Sequence, residues 1–177
     1  LTWAQLGRAY TANASFQFGG RDYYRKAQSA FEKALSLRPE EIDTRVYMAN
    51  LLTDTGNVEQ AVPLLREALK TNPNHAEAKG AVRQIAFLSR ATAQQPDVVA
   101  KADGAPDDIE AAFGAADVEI LQQNIAAAFD RLIALVRRTA GDERTAVRTR
   151  LIELFELFDP ADPEVIAGRR KLANALY

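Results

Sequence analysis

Two prolines set 34 residues apart, Pro39 and Pro73, constrain this chain more than any other feature, because each closes the same helical pattern. Ahead of Pro39 runs Ala27-x3-Phe31-x2-Ala34-x4, and ahead of Pro73 runs Ala61-x3-Leu65-x2-Ala68-x4. Offsets of i, i+4 and i+7 trace one face of an α-helix, with small residues where a neighbouring helix crosses and a large one filling between them. The proline ends each unit because it cannot continue a helix. A repeat of this length predicts an all-α solenoid of stacked antiparallel helix pairs.

The first pair begins with Trp3-x2-Leu6-Gly7-x2-Tyr10. Gly7 lets the second helix pack close, and Trp3, Leu6 and Tyr10 fill the space around it. With this signature in the same phase as the prolines, residues 1–75 resemble two tetratricopeptide (TPR) repeats. The resemblance implies a right-handed superhelix. The first unit carries eight more residues between Tyr10 and Ala27 than the second unit's register allows, falling around Ser15–Arg21. They read either as a longer loop with Phe16 and Phe18 tucked over the pair or as a partner-contacting loop. Asp22 is placed to cap the helix that follows. In the second unit, Asn57-x-x-Gln60 reads as a capping-box variant, and Pro63 falls in the second turn of its helix.

A third helix runs from about Ala76 to Ala93, and then the pattern breaks at Gln94–Asp97 and again at Ala102–Asp108, leaving residues 76–106 as an irregular unit. Residues 97–123 carry seven acids and one base. Residues 107–140 form a degenerate repeat of helices Asp108–Gln122 and Asn124–Arg138, where Asn124, Ala128, Leu132 and Leu135 repeat the offsets of Asn57, Ala61, Leu65 and Ala68. Residues 141–177 read as a capping pair, Arg144–Phe158 and, after Asp162 as N-cap, Pro163–Tyr177. Leu172, Leu176 and Tyr177 are expected to pack on the Arg144–Phe158 helix, with Arg169 and Arg170 facing water or an acid.

The C-terminal half carries a second resemblance. Ala128-Phe129-Asp130-x-Leu132, Leu151-x-x-Leu154-Phe155-x-x-Phe158 and Arg169-Arg170-x-Leu172-x3-Leu176-Tyr177 are similar to the TPR tail of bacterial thioredoxin-like co-chaperones of the YbbN or CnoX type. The likeness covers roughly residues 77–177. It implies a chaperone-side role in the cytoplasm, holding unfolding clients or docking a folding machine. The thioredoxin domain of that family is absent here, so nothing redox carries over. The well-formed repeat ahead of Ala76–Lys79 departs from that family, which leaves open a truncated chain or an engineered fusion of two repeat sources with no natural ligand.

Composition narrows the chemistry. Apolar residues make up 47% and only 8% are aromatic, enough for a core of close-packed helices. A net charge of -2 argues against nucleic acid as the main partner. There is no cysteine and only one histidine, His75, which excludes thiolate catalysis and ordinary Cys or His metal sites. No apolar run approaches the roughly 20 residues that cross a bilayer. His75 lies in an inter-repeat turn without a nucleophile or an orienting acid in a recognisable setting. Asp107-Asp108 and Glu40-Glu41 precede helices, where acids favour the positive dipole end. The reading is a non-catalytic protein with no cofactor.

In the repeat's phase, the first helix of each pair lines the concave face. That face would carry Arg8 and Thr11, then Asp43, Val46, Tyr47, Asn50, Thr53 and Asp54, then Gln84 and Phe87. Tyrosine supplies rigid contact area and asparagine pairs with an extended backbone, which suits a peptide or partner protein. The carboxylate clamp of some TPR proteins is missing, since its positions hold Ala4, Arg8, Tyr47, Glu77 and Ala81. The alternative is a self-assembling scaffold, a homodimer through an uncapped solenoid end.

Overall fold

The computed structural model of the protein describes residues 2–14 and 20–177. The insertion residues 15–19, with Phe16 and Phe18, lie outside the described residues, as does Leu1. Among the described residues the chain is all-helical, as the repeat pattern predicts. The helices are α1 (Trp3–Ala14), α2 (Gly20–Leu37), α3 (Ile42–Asp54), α4 (Val58–Thr71), α5 (Ala76–Thr92), α6 (Val98–Gly104), α7 (Ile109–Leu121), α8 (Ile125–Arg138), α9 (Gly141–Phe155) and α10 (Pro163–Leu176). They fall into two compact units, Leu1–Ile85 and Ala86–Tyr177, and the boundary lies within α5.

In the first unit α1 packs on α2, α2 on α3 and α3 on α4. The repeat positions build its core: Ala27, Phe31, Ala61, Leu65 and Ala68 are all buried and share one cluster with Val46, Ala49 and Leu52. Gly7 permits the close approach of α1 to α2, since a Cβ there would lie 2.6 Å from Phe31 Cε1. Trp3 does not join that core. It stays 46% exposed, and Leu6 is only half-buried. Trp3 sits in the first turn of α1, where an open apolar notch of about 210 Å³ is lined by Trp3, Ala4, Ala34, Leu37, Arg38 and Glu41.

Two capping expectations fail for identifiable reasons. Helix α2 begins at Gly20, so Asp22 lies inside its first turn, paired with Arg25 at 2.6 Å, rather than at the cap. Asn57 does take the N-cap position of α4, but its side chain donates to Thr55 Oγ1 at 3.2 Å, so no capping box forms. Helix α4 continues through Pro63 without a break.

In the second unit α6 is a seven-residue stub against α7, α7 packs on α8, and α8 meets both α9 and α10. Asp108 caps α7 by accepting from Ala111 N at 3.0 Å, and Asp162 caps α10 by accepting from Glu164 N at 2.8 Å. Helix α9 starts and ends three residues earlier than the sequence reading, leaving Leu157 and Phe158 in the turn that follows, still packed on the core.

The closing helix lies chiefly on α8 rather than on α9. Gly168 lets α10 close onto the ends of both helices, because a Cβ there would meet Phe155 Cε1 of α9 at 2.7 Å and Phe129 Cδ2 of α8 at 3.1 Å. Those two rings meet edge to face at 4.8 Å. Leu172 is buried and Leu176 half-buried, while Tyr177 is fully exposed, contrary to its expected packing. Arg169 lies 5.8 Å over the Phe155 ring, and Lys171 pairs with Asp130 on α8 at 2.6 Å.

Candidate peptide-binding face

In the first unit, Asp43, Tyr47, Asn50 and Asp54 follow one another at helical spacing along α3, and α1 brings Arg8 beside them. The Arg8 guanidinium carbon lies 4.8 Å from the centre of the Tyr47 ring. Tyr47 in turn stacks on Phe31, with centroids 6.2 Å apart and planes at 28°. Tyr47 is therefore anchored on the core by its inner side and covered by a cation on its outer side, so it is not independent of the core. Asn50 is exposed one turn further along α3.

Thr11 and Thr53 are half-buried and donate back into their own helices, to Gly7 O at 3.0 Å and Ala49 O at 2.9 Å. Asp54 ends α3, and partial loss of water around its carboxyl raises its pKa above the ordinary aspartate value. Asp43 Oδ1 lies 2.9 Å from His75 Nε2. Because His75 Nδ1 accepts from Ala78 N at 3.3 Å, the ring carries its proton on Nε2 and donates it to Asp43. The only histidine thus closes the start of α5 and ties it to α3, which is a structural task.

Gln84 is exposed on α5. Two of the sequence-read groove residues are not on any accessible face. Val46 is 2% exposed in the core of the first unit, and Phe87 is 4% exposed in the core of the second. Val46 precedes Tyr47 by one residue, a turn of about 100° around the helix, which points it inward.

Sequence reasoning missed a set of buried charges in the second unit. Asp117 is 1% exposed on α7, and both Arg90 Nε and Arg150 Nη1 donate to its Oδ2, at 3.0 and 3.3 Å. Arg90 Nη2 also reaches Asp117 Oδ1 at 3.4 Å. Two residues on, the buried Glu119 is gripped by Arg131, at 2.6 Å to Oε1 and 3.2 Å to Oε2. Arg131 also pairs with Asp103 at 2.8 Å. The hydrogen bond to Glu119 raises the pKa of Arg131 against the opposing effect of its burial. The signal was present: acids inside Ile109–Leu121, a segment apolar on nearly every side, must be buried and therefore paired.

Among the described residues no three His, Cys, Asp or Glu side chains converge on a metal-sized site, and no helix is long and apolar enough to cross a membrane.

Family models for tetratricopeptide repeats match residues 23–85 and residues 88–177. Curated relatives include uncharacterized proteins of Mycobacterium bovis and of two Mycobacterium tuberculosis strains, each 60% identical over 144 residues. The match covers 81% of this chain and 47% of each relative, so the chain spans about half their length. The 34-residue phase, the antiparallel pairs it folds into and the model matches over both halves agree, and the chain belongs to the tetratricopeptide repeat family.

Proposed function

We propose that the chain is a non-catalytic interaction scaffold that holds a peptide or an extended partner segment on the α1–α3 face of its first unit. The observation that carries this reading is Tyr47, fixed by Phe31 beneath and Arg8 above, with Asn50 exposed beside it. A rigid, half-buried aromatic supplies contact area with little further loss of rotamer freedom, and the amide can pair with an extended backbone. Asp43, Thr11, Thr53, Asp54 and Gln84 would border that contact. In its sharper form the role is co-chaperone-like and cytoplasmic, supported by the likeness of residues 77–177 to the tails of thioredoxin-like co-chaperones. On this reading the first 75 residues act as two repeats, and the remainder as an irregular unit, a degenerate repeat and a cap.

The test is capture from a mycobacterial lysate followed by titration of a captured peptide against wild type, Asn50→Ala and the Tyr47→Ala/Asn50→Ala pair. The double variant should lose about 1–3 kcal/mol of binding. Asn50→Ala touches no core residue, so it reports on binding even if loss of Tyr47 loosens the fold. Equal affinity for all three proteins would remove this face from consideration.

A second reading is favoured by the exposed Trp3 and Leu37 flanking the notch at the start of α1. An isologous contact of two such notches would make a homodimer. A sedimentation profile that stays monomeric at high concentration would exclude it.

A further inference from the structure

Asp117 and Glu119 are both buried acids on α7, yet they are neutralised differently. Glu119 is held by a single bidentate arginine. Asp117 has two arginines converging on one of its oxygens, Arg90 from α5 and Arg150 from α9. One guanidinium suffices to neutralise a carboxylate, so the second is surplus to burial. Their side chains remain 34% and 20% exposed, while Asp117 is covered. The Arg150 guanidinium carbon lies over the Phe113 ring, 4.7 Å from its centre, a cation–π contact that helps to hold it while its N–H groups remain for hydrogen bonding. One of those groups already faces a carboxylate of the chain itself, since Arg150 Nε is 3.7 Å from the half-exposed Glu153. The distance is too long for a hydrogen bond, and exposed pairs of this kind contribute little.

We propose that Arg90 and Arg150 form a docking point for the side-chain carboxylates of an acidic peptide segment, with Glu153 as the displaceable internal occupant. The Arg90–Asp117–Arg150 group carries one net positive charge, which Glu153 offsets only while it stays in place. A guanidinium fork matches a carboxylate bidentately, and Phe113 and Asp117 hold Arg150 in position before any ligand arrives. The chain's overall negative charge opposes a long polyanion such as RNA. The proposal rests on the reading of this chain as a peptide-binding scaffold, but it concerns residues distinct from the Tyr47 face.

The experiment titrates the full chain with a fluorescein-labelled hexaglutamate peptide at low ionic strength, with hexaserine, hexalysine and hexauridylate as comparisons. Thermal melts of each variant monitor the fold. Wild type should prefer hexaglutamate and lose it as salt rises. Arg150→Gln should weaken binding roughly tenfold, while Glu153→Gln should strengthen it several-fold. Opposite signs from neighbouring residues separate recognition from a purely structural triad, which predicts no change in binding from either of them. If Arg150→Gln fails to fold, the exposed Glu153→Gln decides alone. Binding of hexaglutamate no tighter than hexaserine, no gain from Glu153→Gln, or a preference for hexauridylate would each overturn the proposal. The Tyr47 reading would survive all three, because its own test uses captured peptide and first-unit variants.

Discussion

Adding one methyl group to Gly7 and to Gly80 should have opposite consequences, although both lie inside helices of the first unit. A Cβ on Gly7 would stand 2.6, 2.7 and 2.9 Å from three atoms of the Phe31 ring. Phe31 is 1% exposed and its ring also stacks on Tyr47, so it has nowhere to retreat without disturbing α3. Overpacking of this kind costs about 1–3 kcal/mol. A Cβ on Gly80 meets nothing within 4 Å. Both substitutions gain the same helix propensity, about 1 kcal/mol. The propensity term cancels in the comparison, and the difference between Gly7→Ala and Gly80→Ala is the clash itself, about 1–3 kcal/mol. Gly80→Ala should therefore be more stable than wild type by about 1 kcal/mol. Urea unfolding, with the slope held constant between variants, measures this directly. In thermal terms each kcal/mol moves Tm by about 2–4 °C in a chain of this size. Adding Phe31→Leu to Gly7→Ala should recover part of the loss, a coupling a double-mutant cycle isolates. Two alanine variants of equal stability would refute the claim that Gly7 exists to admit the Phe31 ring.

Three further outcomes follow from the second unit and the end of α3. Arg131→Met strands the buried Glu119 and should cost about 3–5 kcal/mol, much of it restored by Glu119→Leu in the same chain; a loss under 1 kcal/mol on urea unfolding would show that Glu119 is not sealed from water. Folding raises the pKa of Asp54, so its contribution to stability is present below the unfolded aspartate value and is lost as pH rises through the folded value. Asp54→Asn should accordingly raise Tm slightly at pH 7 and leave it unchanged at pH 3, and the reverse pattern would contradict the burial of that carboxyl. Removing residues 163–177 uncovers Phe129 and Phe155 and should give an aggregating chain that binds a hydrophobic dye; light scattering that stays at the wild-type level would make α10 an independent arm.

The solenoid was legible because its packing is periodic. Ala27, Phe31, Ala61, Leu65 and Ala68 are spaced by helix geometry alone, so the same offsets that reveal the repeat also name the buried cluster. Asp162 was readable as a cap because a short acid before a helix has one strong local use, whereas Asp108, read as the first helical residue, proves to be the cap of α7. What escaped the sequence depends on neighbours distant in the chain. Whether Trp3 is covered depends on what stands beside the first turn of α1, which its own spacing does not encode. Tyr47 and Val46 differ by one residue, and only the position of α1 decides how Tyr47 is clothed. The acids of residues 97–123 could be counted in the sequence but not told apart. Their roles separate only when Arg90, Arg131 and Arg150, lying up to 33 residues away, are brought onto α7.

Repeat arrays are ordinarily modular, since each unit needs only a generic apolar neighbour and tolerates duplication, deletion or exchange. The Arg90–Asp117–Arg150 group withdraws that freedom from the second half of this chain. The acid belongs to α7, and the bases that neutralise it belong to α5 and α9, one before and one after the α7–α8 pair. A copy of α7 and α8 inserted elsewhere would carry a buried, unanswered charge, at a cost that can approach the whole stability of a small domain. The order of these pairs is thus written into their electrostatics. Recombination within the unit is penalised at the fold, before any partner tests the product.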